Sequence, residues 1–318
     1  VERGVHVKTP KLYTSSVIIL SLAALVENLA YALPMSYFPF FIKFLGASVV
    51  YIGFFTSAFT IANATLSQKF GGLSDRIGRK KLIQAGLLVD VVLGILTGIV
   101  WHWAPLLLIR ILNGVATAAV AAPSEASLVD QISEGRRGEG LGFYLTMSMI
   151  GFNLGPILGG VIQFLCNDVV GIGLEWSYRA PFFIDSLLAL LAFFLVWWGV
   201  DETRGKSSIK NVQKIEGNVE LSKKVKFSLK ILYISSLAIG LAVGIIIPIS
   251  VLYFGDVFGA TSLQIGIILS AAGFVGLTCN LYAGKLSDRV GRKPIIALGS
   301  FPSRLSTIVL PFAPNLVS

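Results

Sequence analysis

The chain reads as an all-α integral membrane protein built from two copies of one unit, and three observations carry that reading. Of its 318 residues 54% are hydrophobic and only 14% charged, with mean hydropathy +0.78, well below the roughly 25% charge of a soluble domain. Nine apolar runs are each long enough to cross about 30 Å of hydrocarbon at about 1.5 Å per residue. Ten residues occur twice, GGLSDRIGRK at 71–80 and GKLSDRVGRK at 284–293, identical at eight of ten positions and offset by 213.

The runs lie near 15–42, 49–70, 82–102, 105–129, 140–165, 179–199, 228–254, 262–283 and 294–312. Each is far longer than a barrel strand and lacks the polar alternation of a lumen-lining one. Inside hydrocarbon the backbone must satisfy itself within each segment, which leaves helices. The first run is too long for a signal peptide, contains Glu27 and leads straight into a second span.

The repeat extends upstream of the decapeptide without a gap. At the same offset Gly46-Ala47 meets Gly259-Ala260, Ile52-Gly53 meets Ile265-Gly266, and Ser57-Ala58 meets Ser270-Ala271. The period far exceeds that of a solenoid and fits a duplicated half-protein. The expected domains are a six-helix bundle over 1–200, a polar central loop over 201–227, and a partial bundle over 228–318 carrying helices seven to nine and the start of a tenth. The repeat thus predicts about three further helices beyond residue 318, and Val1 in place of an initiator Met raises the same question at the front.

The formal charge of +9 reports topology. Of 26 Lys and Arg, 22 fall in the segments 1–14, 69–81, 131–139, 201–230 and 284–293, which share one side if the nine helices alternate. By the positive-inside rule that side is the cytoplasm, so the N-terminus is expected to be cytoplasmic and the chain to cross the plasma membrane many times. The lipid bilayer is then a partner and nucleic acid is not. Lys43 falls at an outer loop, Arg110 and Arg179 near outer helix ends, and Arg304 within the ninth run.

No cofactor or metal is expected. Cys166 and Cys279 lie in or beside apolar spans without ligand spacing and read as packing residues. His6 is uninformative, and His102, between Trp101 and Trp103, reads as part of an interfacial aromatic belt. The GKSS at 205–208 fails as a phosphate loop, because five residues rather than four separate Gly199 from Gly205 and no strand precedes it. An enzyme or ATP-driven pump is therefore disfavoured.

Six helices, a long polar loop and a second half repeating the first resemble the major facilitator superfamily of secondary transporters. GGLSDRIGRKK at 71–81 is similar to its signature loop between helices two and three. Physically, Gly71 would let the second helix end and approach its neighbour. Asp75 would accept from backbone N–H groups of a facing helix, and Arg76, Arg79 and Lys80 would pair with carboxylates on adjoining helix ends, Asp130 first among them. The resemblance implies a conformational latch favouring the outward-open state and comprising these residues and Gly78, with Gly284, Asp288, Arg289, Gly291 and Arg292 as the repeated loop; Arg136-Arg137 matches the family's loop between helices four and five. A solvated basic turn is the structural alternative.

The fifth helix fills every position of the family's antiporter motif: Gly142, Gly151, Gly155-Pro156 and Gly159-Gly160. Four-residue spacing puts Gly151, Gly155 and Gly159 on one face, where another helix can approach, and Pro156 frees a carbonyl. The alternative is a plain packing stripe. Arg110 with Gly114 resembles the family's R-x3-G motif, for which help with proton transfer is proposed; snorkelling to the interface is the alternative.

Glu27 and Asp90 lie deep in the first and third spans, where a carboxylate costs several kcal/mol unless paired, hydrated or protonated. Together with Arg110 and Asn28 they form the expected proton-coupling and substrate cavity. Glu125 and Asp185 rank second, the one nearing the cytoplasmic interface and the other able to line solvent. Tyr31, Asn63 and Asn153 can add polar contacts, while Tyr37, Phe38, Phe40 and Phe41 are expected at the outer end of the first helix beside Pro34 and Pro39. The reading is a monomeric, proton-coupled exporter of a small molecule, related by resemblance to the multidrug and sugar-efflux antiporters. An uptake symporter on the same fold and a non-transporting membrane protein are the alternatives.

Overall fold

A computed structural model describes residues 14–203 and 246–291, with 227, 231, 234 and 294 as isolated positions. All the regular structure among the described residues is helical, and seven helices are long and apolar enough to cross a membrane. The central loop from 204, most of the seventh expected span, the ninth span and Arg292 lie outside the described residues, as do the side chains of Gly284, Asp288 and Arg289.

Helix α1, Ser15–Ala32, starts at Thr14, whose hydroxyl accepts from Val17 N at 3.3 Å and satisfies one of the unpaired first-turn donors. The sequence suggested one span to residue 42, but the chain breaks at Pro34, which has no N–H to continue the ladder. A 3-10 turn, Leu33–Ser36, leads into a separate short helix α2, Phe38–Phe44. Its aromatics do not simply end a helix: Tyr37 and Phe41 are fully buried, with ring centroids 6.0 Å and 5.2 Å from Phe182.

Helices α3, Val49–Ile77, and α4, Arg79–Ile99, are separated by Gly78 alone. The decapeptide is therefore mostly helical, which corrects the expected role of Gly71. The helix runs on through Gly71, Ser74 Oγ donates to its carbonyl at 2.6 Å, and a Cβ there would meet nothing within 4 Å. The break sits at Gly78, whose φ of +109° an L side chain rarely adopts.

Helix α5, Trp103–Gln131, is capped by His102, whose Nδ1 accepts from Ala104 N at 3.2 Å. The imidazole thus has a local structural task beyond an aromatic belt. Helix α6, Arg137–Phe164, and α7, Leu174–Gly199, complete the first six spans. Arg179 of α7 is 1% exposed and closes the end of α4: its Nη1 donates to Gly98 O at 2.9 Å and Val100 O at 2.6 Å, with Trp101 stacked 4.4 Å away. A cation on the carbonyl end of a helix satisfies acceptors that have no intrahelical partner.

Contacts between neighbours run α3, α5, α4, α7, α1, α6, so helices distant in sequence close one bundle. Helix α8, Ile246–Phe258, meets α2 where Gly255 faces Phe40, and α9, Ser262–Val290, packs on α6. The repeat seen in sequence recurs in backbone geometry. Helices α3 and α9 both have 29 residues and begin 213 apart; Gly46 and Gly259 precede them at φ +89° and +65°, and Gly78 and Gly291 follow them at φ +109° and +96°.

Candidate functional site

Between α1, α3, α5, α6 and α8 lies a cavity of about 350 Å³, within the range of ligand pockets. Tyr31, Phe38, Phe55, Phe59 and Phe152 give it an aromatic wall, Ile247 and Val251 of α8 close one side, and Arg110 supplies a charge. Tyr31 stacks on Phe59 at 5.1 Å, and the Arg110 guanidinium carbon sits 3.8 Å from the Phe38 ring centre. The guanidinium rests on an aromatic face inside the bundle and does not snorkel to the interface.

Arg110 also lines a second, smaller cavity with Tyr31, Asp90, Thr97, Asn113, Thr117, Phe182 and Asp185. Asn113 Nδ2 donates to Asp90 Oδ1 at 3.0 Å. Asp185, ranked second by sequence, stands opposite: its Oδ1 is buried without a hydrogen-bond partner. Gly94, one turn beyond Asp90, makes this approach possible, since a Cβ there would come within 3.1 Å of Asp185 Oδ2. Tyr31, Pro34 and Arg110 line both cavities and so join the polar cluster to the aromatic one.

Glu27 occupies a separate small pocket with Ala24, Ile83, Leu87, Val120, Ser124 and Tyr144. It lies one helical turn before Tyr31 on α1 and is near enough to Asp90 for their charges to interact. Asn28 stands apart from all three pockets, because its amide turns back to donate to Ala24 O at 2.8 Å. Glu125 is exposed. Asn63 Oδ1 accepts from Ser67, and Asn153 packs where a Cβ on Gly273 of α9 would fall.

The basic end of the bundle is tied by a polar network. Arg79 is 4% exposed and forks between two carboxylates: Nη1 lies 2.6 Å from Asp130 Oδ2, and Nη2 lies 3.0 Å from Asp75 Oδ1. Asp75 pairs across its own helix junction, and Arg76 is exposed. The residues after α7, which sequence reading passed over, complete the network. Lys80 Nζ donates to Trp197 O at 2.6 Å and Lys80 N to Glu202 Oε1 at 3.3 Å. Asp201 exchanges bonds with Ser16 at 3.0 Å and 3.2 Å, and Thr203 meets Ser127 at 3.0 Å. An Asp-Glu-Thr run closing an apolar span was the available signal. At this end Arg136 pairs with Glu139 at 3.0 Å, and Arg137 lies 3.7 Å from Glu134.

The glycine motif of α6 divides its work. A Cβ on Gly151, Gly155 or Gly159 would run into backbone atoms of Leu25, Ala32 and Leu33 respectively, so these glycines admit α1 and its 3-10 extension. Gly160 instead faces Ser262 and Leu263 of α9, while Gly266 of α9 faces Pro156. The buried Ser270 hydroxyl accepts from Ile157 N at 3.1 Å, which bolts α9 to α6. Gly142 has open space around it and takes no part in close packing. At the end remote from the basic network, Lys43 Nζ lies 3.0 Å from Asp256 Oδ2, and Phe40 packs on Gly255.

Comparison with known proteins agrees with this architecture. A family model described as Major Facilitator Superfamily matches residues 20–318. The multidrug resistance protein MdtG of Escherichia coli O17:K52:H18 is 28% identical over 296 residues, covering 91% of this chain and 70% of that protein. Among solved structures, a bacterial homolog of the human lysosomal transporter Spinster, inward-facing and unoccupied, aligns with TM-score 0.67 at 19% identity, over 88% of this chain and 64% of that one. The D-xylose–proton symporter aligns with TM-score 0.64 at 17% identity, over 88% and 70%. With its repeated signature, its bundle of membrane-spanning helices and a family match over nearly its whole length, this multi-pass membrane protein belongs to the Major Facilitator Superfamily.

Proposed function

We propose that the protein is a proton-coupled exporter of small, largely apolar molecules that works by alternating access. The observation that carries this reading is the sharing of Arg110 and Tyr31 between an aromatic cavity and a pocket holding Asp90 and Asp185. A proton bound in one compartment then changes the charge that lines the other. Similarity to MdtG over 91% of the chain supports export of drug-like compounds, and the filled glycine motif of α6 points the same way. Glu27 and Asp90 are the proposed coupling carboxylates.

With the basic end in the cytoplasm, Lys43–Asp256 and the Gly160–Ser262 contact lie toward the outside. The arrangement then corresponds to a state closed outside, with residues 1–200 and 228–318 as the two bundles that rock about the central site. The network of Arg79, Asp130, Asp75, Lys80 and Glu202 joins helix ends within the first bundle and braces its cytoplasmic end.

The test is flux in liposomes carrying the full chain, with ethidium as the transported probe. Glu27→Gln and Asp90→Asn are expected to lose accumulation driven by a pH gradient while keeping exchange of labelled for unlabelled probe. Retained gradient-driven accumulation in Glu27→Gln removes that residue from the mechanism.

A further inference from the structure

The cluster around Arg110 contains more acid than base, and three of its buried polar atoms, Arg110 Nε, Tyr37 Oη and Asp185 Oδ1, have no hydrogen-bond partner. Asp90 and Asp185 share the small cavity with a single guanidinium, and Glu27 and the buried Tyr37 hydroxyl lie near enough to interact electrostatically with the cluster. Tyr31 completes the titratable groups facing it. No ion pair joins Arg110 to either carboxylate among the described residues. Arg110 instead rests on Phe38 with its Nε buried and unpartnered. Asn113 already serves Asp90, whereas Asp185 Oδ1 has no donor. An uncompensated charge at this depth costs several kcal/mol, and a proton on the carboxylate removes that charge.

We propose that Asp185 joins Glu27 and Asp90 in taking up and releasing the transported proton, and that Arg110 moves between Phe38 and Asp185 as it does so. When a proton from solvent forms an O–H bond on Asp185, the pocket keeps one carboxylate, Asp90, against one guanidinium, and Arg110 stays on the Phe38 ring. When that bond breaks and the proton leaves to solvent, Asp185 regains its charge and draws the guanidinium off Phe38. Because Phe38 and Arg110 both line the larger cavity, protonation of Asp185 re-shapes the surface presented to the transported molecule. This inference rests on the proton-coupled reading above and adds a residue to it.

The test needs no transported molecule, since the proton is the probe. Infrared difference spectra of the full chain in phosphatidylethanolamine–phosphatidylglycerol liposomes, recorded through an acid-to-alkaline titration, report the C=O stretch of each protonated carboxyl. The expected result is a titrating band that Asp185→Asn abolishes, that Asp185→Glu restores at a shifted frequency, and whose midpoint moves in Asp90→Asn because neighbouring carboxyls titrate as a pair. The restoring variant separates loss of the proton site from loss of the fold. A band that persists unchanged in Asp185→Asn overturns the assignment and leaves proton coupling standing. Absence in the wild-type protein of any titrating carboxyl band that Glu27→Gln, Asp90→Asn or Asp185→Asn removes overturns both.

Discussion

Lys43 forms an ion pair at 3.0 Å with Asp256, the residue 213 positions later, and 213 is also the period of the sequence repeat. A residue bonded to its own counterpart lies close to the axis relating the two copies, as self-complementary contacts do across a two-fold. The pair therefore marks the point where the copies meet at the end opposite the basic network. Both side chains are substantially exposed, at 37% and 51%, so the pair contributes no more than about 1 kcal/mol and weakens in salt.

That modest energy suits a contact that, under the proposed alternating access, breaks in every cycle. Lys43→Glu places like charges in apposition and is expected to shift the population by up to about fivefold toward the state open at that end. The swapped double variant, Lys43→Asp with Asp256→Lys, restores the original balance. Spin labels at the exposed Phe44 and Val257 report the separation, and an unchanged distance distribution in Lys43→Glu would show that the pair does not gate.

The opposite end behaves differently because Arg79 is buried. Asp130→Asn leaves its guanidinium with only Asp75, whose side chain is 47% exposed. The expected loss is about 3 kcal/mol, the low end for breaking a buried pair, since one partner survives. Arg79→Lys should not escape this penalty, because an ammonium lacks the planar fork that serves two carboxylates at once. Thermal unfolding in detergent checks both variants.

The glycines of α6 give a contrast within one motif. Gly159→Ala drives a methyl into the Leu33 carbonyl, while a methyl at Gly142 enters open space. The first substitution is expected to abolish a well-packed fold, read as lost expression and a broadened elution profile. The second should leave stability within about 0.5 kcal/mol. Equal effects would mean that α1 does not pack where the structure places it.

What the sequence made legible followed from patterns that hydrophobicity and repetition impose. Six apolar runs became the six spans of the first bundle, and the offset of 213 reappeared in helix length and in paired left-handed glycines. Asp130 was foreseen as the partner of Arg79 because a carboxylate ending one helix near a basic turn has few other uses. Gly71 misled, since a glycine in a helical run marks an end only if the backbone needs it there, and Gly78 already supplied the break. The place of Asp185 beside Asp90 and Arg110 was not legible, because depth along a span is readable while the direction a side chain faces depends on which helices become neighbours. Lys43–Asp256 was within reach: opposite charges at the repeat offset are visible once the two copies are aligned.

The central claim is that proton entry drives substrate the other way, and the sign of flux tests it most directly. Liposomes carrying the full chain, acidified on one side with the membrane potential clamped, are loaded with ethidium, a permanent cation whose distribution the pH difference does not itself bias. Antiport predicts net movement of the probe toward the acidic side, reversing when the gradient is reversed and lost in Asp90→Asn. Movement away from the acidic side, or flux indifferent to the gradient, would contradict the account.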